Sequence, residues 1–157
     1  MKSQTIDGIF KEPIMGTNYY WYPEPPCPCC GRRPEPVHIG KSSGGWCFAL
    51  HVYPFSEDSE PGTFSVDSLE AWKNRFETEG SFIEDEYGDL VSVEPLLQAI
   101  TERSARTPDS AYPYSWYEQN HAVPGPNGLA RRQIDGDFCI GHAPDDGTWD
   151  ICIGEFS

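Results

Sequence analysis

Val37-His38-Ile39-Gly40-Lys41-Ser42-Ser43-Gly44-Gly45-Trp46-Cys47-Phe48-Ala49-Leu50-His51 is the stretch that decides how this chain folds. Two alternating runs, Val37 to Lys41 and Trp46 to His51, flank Ser42-Ser43-Gly44-Gly45. Glycines in such a loop supply the positive φ of a hairpin turn, so the spacing predicts a β-hairpin. With Lys41 facing Trp46, Ile39 faces Phe48 and Val37 faces Leu50, which puts the apolar residues on one sheet face. The other face then carries His38 opposite Ala49, Cys47 opposite Gly40 and His51 opposite Pro36. In that register His38 and His51 are diagonal neighbours, about 7–8 Å apart at the backbone, within reach of one metal ion.

Upstream stands Cys27-Pro28-Cys29-Cys30-Gly31. Thiolates at Cys-x-x-Cys spacing can bind one Zn²⁺ together, and Gly31 permits the tight turn after the second sulfur. Cys27, Cys30, His38 and His51 are therefore the expected metal ligands, with Cys29 and Cys47 as substitutes. Four protein ligands leave no position for water, so the expected Zn²⁺ is structural rather than catalytic. Cys139-Ile140-Gly141-His142 has Cys-x-x-His spacing and forms a second candidate site with Cys152 or Asp137. Strand alternation offers a simpler role for Cys139 and Cys152 as small apolar core residues. Gly40-Lys41-Ser42 is not a phosphate-binding loop, because Glu35 stands where that loop needs glycine and a strand follows instead of a helix. No spacing supports a Cys–His nucleophile built from Cys29 with His121 or His142.

The chain has 157 residues, 25 Asp and Glu against 11 Lys and Arg, and a net charge of -14. Phosphate backbones and anionic lipid surfaces repel such a chain, which argues against direct nucleic-acid binding. No apolar run approaches the ~20 residues that span a bilayer, and no membrane association or signal peptide is expected. The acids concentrate between Ser56 and Glu94, where only Lys73 and Arg75 oppose them. That segment reads either as a solvated face or as a surface that docks on a basic protein partner, imitating nucleic acid. Three of the six cysteines crowd into four positions, which suits a metal better than a disulfide framework.

The proline- and tyrosine-rich run before Cys27 should be extended, with its aromatics lying on the domain. Asp67 to Glu79 reads as a helix capped by Asp67, with Glu70 completing a capping box, Leu69, Trp72 and Phe76 on one stripe, and Gly80 ending it. Phe82-Ile83-Glu84 and Leu90-Val91-Ser92 form a second hairpin. Ser92 caps a second helix that buries Leu96, Leu97 and Ile100. Thr107 to Asn127 reads as a long surface loop. Phe138-Cys139-Ile140 and Trp149 to Ile153 make a third hairpin around the turn Pro144-Asp145-Asp146-Gly147.

Met15-Gly16-Thr17-Asn18-Tyr19-Tyr20, Cys27-Pro28-Cys29-Cys30-Gly31-Arg32 and the run from His38 to Trp46 resemble a family of small bacteriophage proteins, and the similarity extends to Asp85-Glu86-Tyr87-Gly88 and Gly154-Glu155-Phe156-Ser157. In that family the metal-ligand positions would correspond to Cys27, Cys30, His38 and His51. The resemblance implies phage origin and a host-cytoplasmic setting, and no particular activity. The expectation is thus an N-terminal extension over 1–14 and a single zinc-binding α+β domain over 15–157. Its parts are a zinc-knuckle-plus-β-hairpin N-terminal half, two short helices and a C-terminal β-hairpin. The expected function is a phage-encoded acidic accessory protein acting by protein–protein interaction, inhibiting a basic nucleic-acid-binding host partner. A small zinc-dependent enzyme or a virion or assembly subunit are the alternatives, and the balance is against an enzyme.

Overall fold

The computed structural model describes residues 16–105, 112–134, 136 and 138–156; the expected extension over 1–14 lies outside them. The chain is an α+β fold dominated by one seven-stranded sheet. In chain order its elements are β1 (Thr17–Tyr22), β2 (Val37–Ser42), β3 (Phe48–His51), α1 (Leu69–Phe76), β4 (Phe82–Asp85), β5 (Leu90–Val91) and α2 (Val93–Thr101). Then follow α3 (Tyr114–Gln119), β6 (Ala122–Pro124), β7 (Ala130–Arg132), β8 (Cys139–His142) and β9 (Trp149–Cys152). The sheet order is β5-β4-β1-β2-β3-β9-β8, and β6 and β7 pair separately. Among the described residues no helix is long and apolar enough to cross a membrane.

The aromatic run before the cysteines does more than lie on the domain. It forms β1, paired with β2 on one side and β4 on the other. β3 and β9 run parallel, so the first hairpin and the C-terminal hairpin join into one sheet. One sheet face buries Trp21, Ile39, Phe48, Leu50 and Ile83 against Leu69, Trp72 and Phe76 of α1 and Leu96 and Ile100 of α2. Trp72 is fully buried, and its indole Nε1–H donates to the His51 carbonyl at 2.8 Å, tying α1 to β3.

The expected helices and hairpins at 67–79, 82–92, 92–100 and 138–153 form, with corrections. The side chain that caps α1 is Ser68, which accepts from Ala71 N, rather than Asp67. Ser92 occupies the N-cap of α2 without a side-chain hydrogen bond. The described part of the predicted loop over 107–127 contains α3 and β6 instead. Pro113 stands at the N-cap of α3, and Trp116 stacks on Tyr112 at 3.9 Å between ring centroids and packs against Trp46 at 5.3 Å.

The first hairpin forms in a register three residues from the expected one, pairing Gly40 with Leu50 and Lys41 with Ala49. The cause lies outside the hairpin. Trp46 and Cys47 leave the strand to bridge β7, where Cys47 N–H donates to the Ala130 carbonyl at 2.8 Å. Arg103 holds that loop open by donating to the carbonyls of Trp46 and Ser43 and to the Ser42 hydroxyl. A bulge in the β1–β2 ladder at Tyr19/Tyr20 absorbs the change. Ile39, Phe48 and Leu50 therefore still reach the same core.

Gly40 sits where β2 crosses the Phe48 ring. A Cβ there would lie 2.2 Å from the Ala49 carbonyl oxygen and 2.6 Å from the ring, whereas one at Gly88 meets nothing. Both glycines have positive φ. Gly88→Ala should therefore cost only the conformational strain, about 1–2 kcal/mol, and Gly40→Ala about 2–5 kcal/mol once overpacking is added. Urea unfolding of the two variants checks this, and equal losses would contradict it.

Candidate metal centre and histidine groove

On the sheet face opposite α1 and α2, ligand-type side chains stand in a row. Register pairs Tyr20 with His38, His51 with Cys152, and Cys152 with Cys139, and His38 contacts His51 directly. The row thus crosses β1, β2, β3, β9 and β8. Phe156 covers its middle, with its ring 4.9 Å from His38, 5.0 Å from His51 and 4.9 Å from Phe138.

Beside this row lies Asp150, fully buried and paired in register with His142 and Ala49. A buried carboxylate must be neutralised and hydrogen-bonded. Arg131 Nε lies 2.9 Å from Asp150 Oδ1, His142 Nδ1 lies 2.9 Å from the same oxygen, and Arg132 N–H donates to Oδ2 at 3.0 Å. The Arg131 Nε–H is not aligned on an acceptor, so that contact is one of charge. Arg131 also donates from Nη2 to the Gly147 carbonyl.

Cys139 Sγ lies 3.9 Å from His142 Nδ1. Cys139, His142 and Asp150 present their ligand atoms within 4.8 Å of one another, and they are the one such group of three among the described residues. The cluster could bind a metal ion. One thiol, one imidazole and one carboxylate are a donor set that Zn²⁺ accepts. Zinc bond lengths in a tetrahedron place ligand atoms about 3.3–3.6 Å apart, and the 3.9 Å and 2.9 Å spans bracket that range. The hydrogen bond with Cys152 lowers the Cys139 thiol below its ordinary value, and the same contact, with burial, raises Cys152. The arrangement is not a nucleophile relay, because thiol and carboxylate both face Nδ1 of His142 and the other nitrogen receives neither.

The four ligands expected from sequence fall into two separate pairs. The knuckle turn is present: Gly31 N–H donates to the Cys27 carbonyl and Cys27 N–H to the Arg32 carbonyl, both at 2.8 Å. Backbone N–H groups of Cys30 and Cys29 hold the Cys27 thiol below its ordinary value. Cys29 and Cys30 are exposed, and no cluster joins these cysteines to His38 and His51. Cys47, the other substitute, is fully buried, and burial pushes its thiol up to about 11. Of the second candidate site, Cys139 and His142 converge, Cys152 pairs with Cys139, and Asp137 lies outside the described residues. Asp150 was missed. Its signal was a lone acid in an apolar strand, in phase with Cys152.

His38 and His51 form the floor of an open groove of about 720 Å³. Their Nδ1 atoms are 2.9 Å apart, His38 Nε2 is 2.9 Å from Asn18 Oδ1, and Tyr53 Oη lies 3.1 Å from His51 Nδ1. Burial pushes both imidazoles down to about 4. The expectation that the two histidines share one face is met, through hydrogen bonding to each other.

No family model matches the chain, no curated protein matches it, and no solved structure matches it.

Two outcomes follow from this geometry. The unfolded chain binds protons at His38 and His51 below about pH 6.5, whereas the folded chain does so only near pH 4. Stability is therefore fully present above pH 6.5 and falls as pH drops from there toward 4. Thermal midpoints across pH 4–8 should show this slope, and His38→Gln with His51→Gln should flatten it. For the metal, Co²⁺ added to the reduced protein should give one equivalent with thiolate charge-transfer absorption, lost in Cys139→Ser and in Asp150→Asn. An unchanged spectrum in Cys139→Ser would place any bound metal elsewhere.

Proposed function

We propose that the chain is an acidic accessory protein that docks on a basic protein partner and is held together by a structural Zn²⁺ at Cys139, His142 and Asp150. The observation that carries the docking reading is a set of uncompensated exposed carboxylates. Glu57, Asp58, Glu60, Asp67, Glu77, Glu79, Asp89 and Glu94 are all exposed, and none has a cation within ion-pair distance among the described residues. A field of one sign speeds encounter with an oppositely charged partner and selects against others. The β4–β5 hairpin adds apolar contacts to that field, with Tyr87 68% and Leu90 75% exposed at the edge of the sheet.

Not all acids of the 56–94 segment serve this face. Glu84 is buried in an ion pair with Arg33 at 2.6 Å. Asp85 accepts from the backbone N–H groups of Tyr87 and Asp89, and Glu86 accepts from Asn18 N–H. These three hold the hairpin, and neutralising them would test folding rather than docking. Three protein ligands leave a fourth position for water, unlike the closed set expected from sequence, but full burial of Cys139 and Asp150 shuts that position away from substrate and favours a metal that braces the fold. The likeness of the Met15–Tyr20, Cys27–Arg32 and His38–Trp46 motifs to small phage proteins supports a phage origin and a host partner.

A lysine-rich peptide is the simplest probe. Titrated into isotopically labelled protein at low salt, it should shift amide resonances within residues 57–94. The shifts should weaken with added salt. They should diminish in the combined variant Glu77→Gln, Glu79→Gln, Asp89→Asn, Glu94→Gln, whose thermal midpoint should stay near that of the parent. Shifts spread evenly over the protein, or unaffected by these substitutions, would refute the docking face.

A further inference from the structure

We infer that the groove over His38 and His51 is a binding site for a guanidinium group, the arginine side chain of a basic partner. The inference rests on the partner being basic, as proposed above, and concerns a surface distinct from the β4–β5 edge.

The hydrogen bonds assign the protons in the groove floor. Tyr53 O–H donates to the His38 carbonyl at 2.9 Å, so its oxygen has only lone pairs to offer His51 Nδ1. His51 Nδ1 therefore carries the hydrogen, and His38 Nδ1, 2.9 Å away, accepts it. His38 Nε2 then donates to Asn18 Oδ1. This chain leaves one bare lone pair, at His51 Nε2, which has no protein partner among the described residues. His51 is only 7% exposed, and its ring is clamped by Tyr53 at 4.2 Å. The acceptor is thus preorganised on a residue that lines the groove floor.

The remaining lining selects the ligand. Among the described residues, Tyr20, Tyr53, Phe64 and Phe156 supply aromatic surface, Glu155 supplies the one formal charge, and no lysine or arginine lines the groove. Aromatic faces with a carboxylate at the rim attract a cation. Among cations, the guanidinium is planar, stacks on rings and carries N–H donors on its edge for both an imidazole lone pair and a carboxylate. An anionic ligand such as a nucleotide phosphate would meet Glu155 and the net charge of -14, while the cations nearby, Lys41 acting on His38 and Arg75 over the Phe64 ring, stand outside the lining. Glu57, Asp58 and Glu60 lie on the loop that leaves the groove wall at Tyr53 and returns at Phe64, so a basic segment would find more carboxylates beside it.

The test is a titration of the full chain with the capped tripeptide acetyl-Gly-Arg-Gly-amide. Its isostere with citrulline in place of arginine and uncharged adenosine are the comparisons. Amide and imidazole resonances of Tyr20, His38, His51 and Tyr53 should shift with the arginine peptide. The citrulline peptide should bind at least about tenfold more weakly, the scale of one charge-assisted contact. Glu155→Gln, an exposed substitution that leaves the floor intact, should weaken the arginine peptide by a similar factor. Equal binding of both peptides, preference for adenosine, shifts confined to residues 57–94, or no binding would each overturn the inference. Shifts confined to residues 57–94 would leave the docking face standing, and groove binding without effect of the edge substitutions would do the reverse.

Discussion

A single buried carboxylate holds the C-terminal half of this protein in place. Asp150 has no exposed surface, and a charge in that position is tolerated only where the fold supplies its partners. Those partners come from two other strands. Arg131 and Arg132 lie on β7 and His142 on β8, so the β6–β7 hairpin and the sheet edge converge on one side chain of β9. Because β9 also pairs with β3, the same residue fixes the seam between the first hairpin and the last. A metal at Cys139, His142 and Asp150 would bind residues that the carboxylate already gathers.

The two sheet faces have opposite chemistry. One is a closed apolar layer in which Trp21, Phe64 and Trp72 pack edge and tilt against one another. The other carries histidines, thiols and Asp150, covered in part by Phe156. Strand alternation makes this division possible, since each strand sends neighbouring residues to opposite sides. In β3 and β9 this puts Phe48 and Leu50 in the core and leaves His51, Asp150 and Cys152 for the polar side.

Elements set by local pattern were legible in the sequence. Leu69, Trp72 and Phe76 announced α1, and alternation in Ile39, Phe48 and Leu50 announced the core face of the first hairpin. Features set by distant partners were not. The register of that hairpin depends on Ala130 and Arg103, which pull Trp46 and Cys47 out of the strand, and nothing within 37–51 reports them. The parallel pairing of β3 with β9 was likewise invisible, as was the inclusion of β1 in the sheet beneath a run of prolines. At the site, Cys139 and His142 were visible as a spaced pair. Asp150 was not, because a lone acid in a strand gains meaning only when the arginines that neutralise it are known. His38 and His51 share a face and touch, as alternation suggests, though in a register other than the expected one and with Tyr53 hydrogen-bonded beside them.

The β3–β9 seam also dictates an order of events during synthesis. Phe48 pairs with Trp149, about a hundred residues later, and loops of that length close slowly. As the chain emerges from the ribosome, β1 to β5 can assemble among themselves, but β3 keeps an unsatisfied edge until β9 arrives. An open hydrogen-bonding edge invites pairing with another chain. The interval between translating the first hairpin and the last is therefore when that edge is most exposed to misassociation.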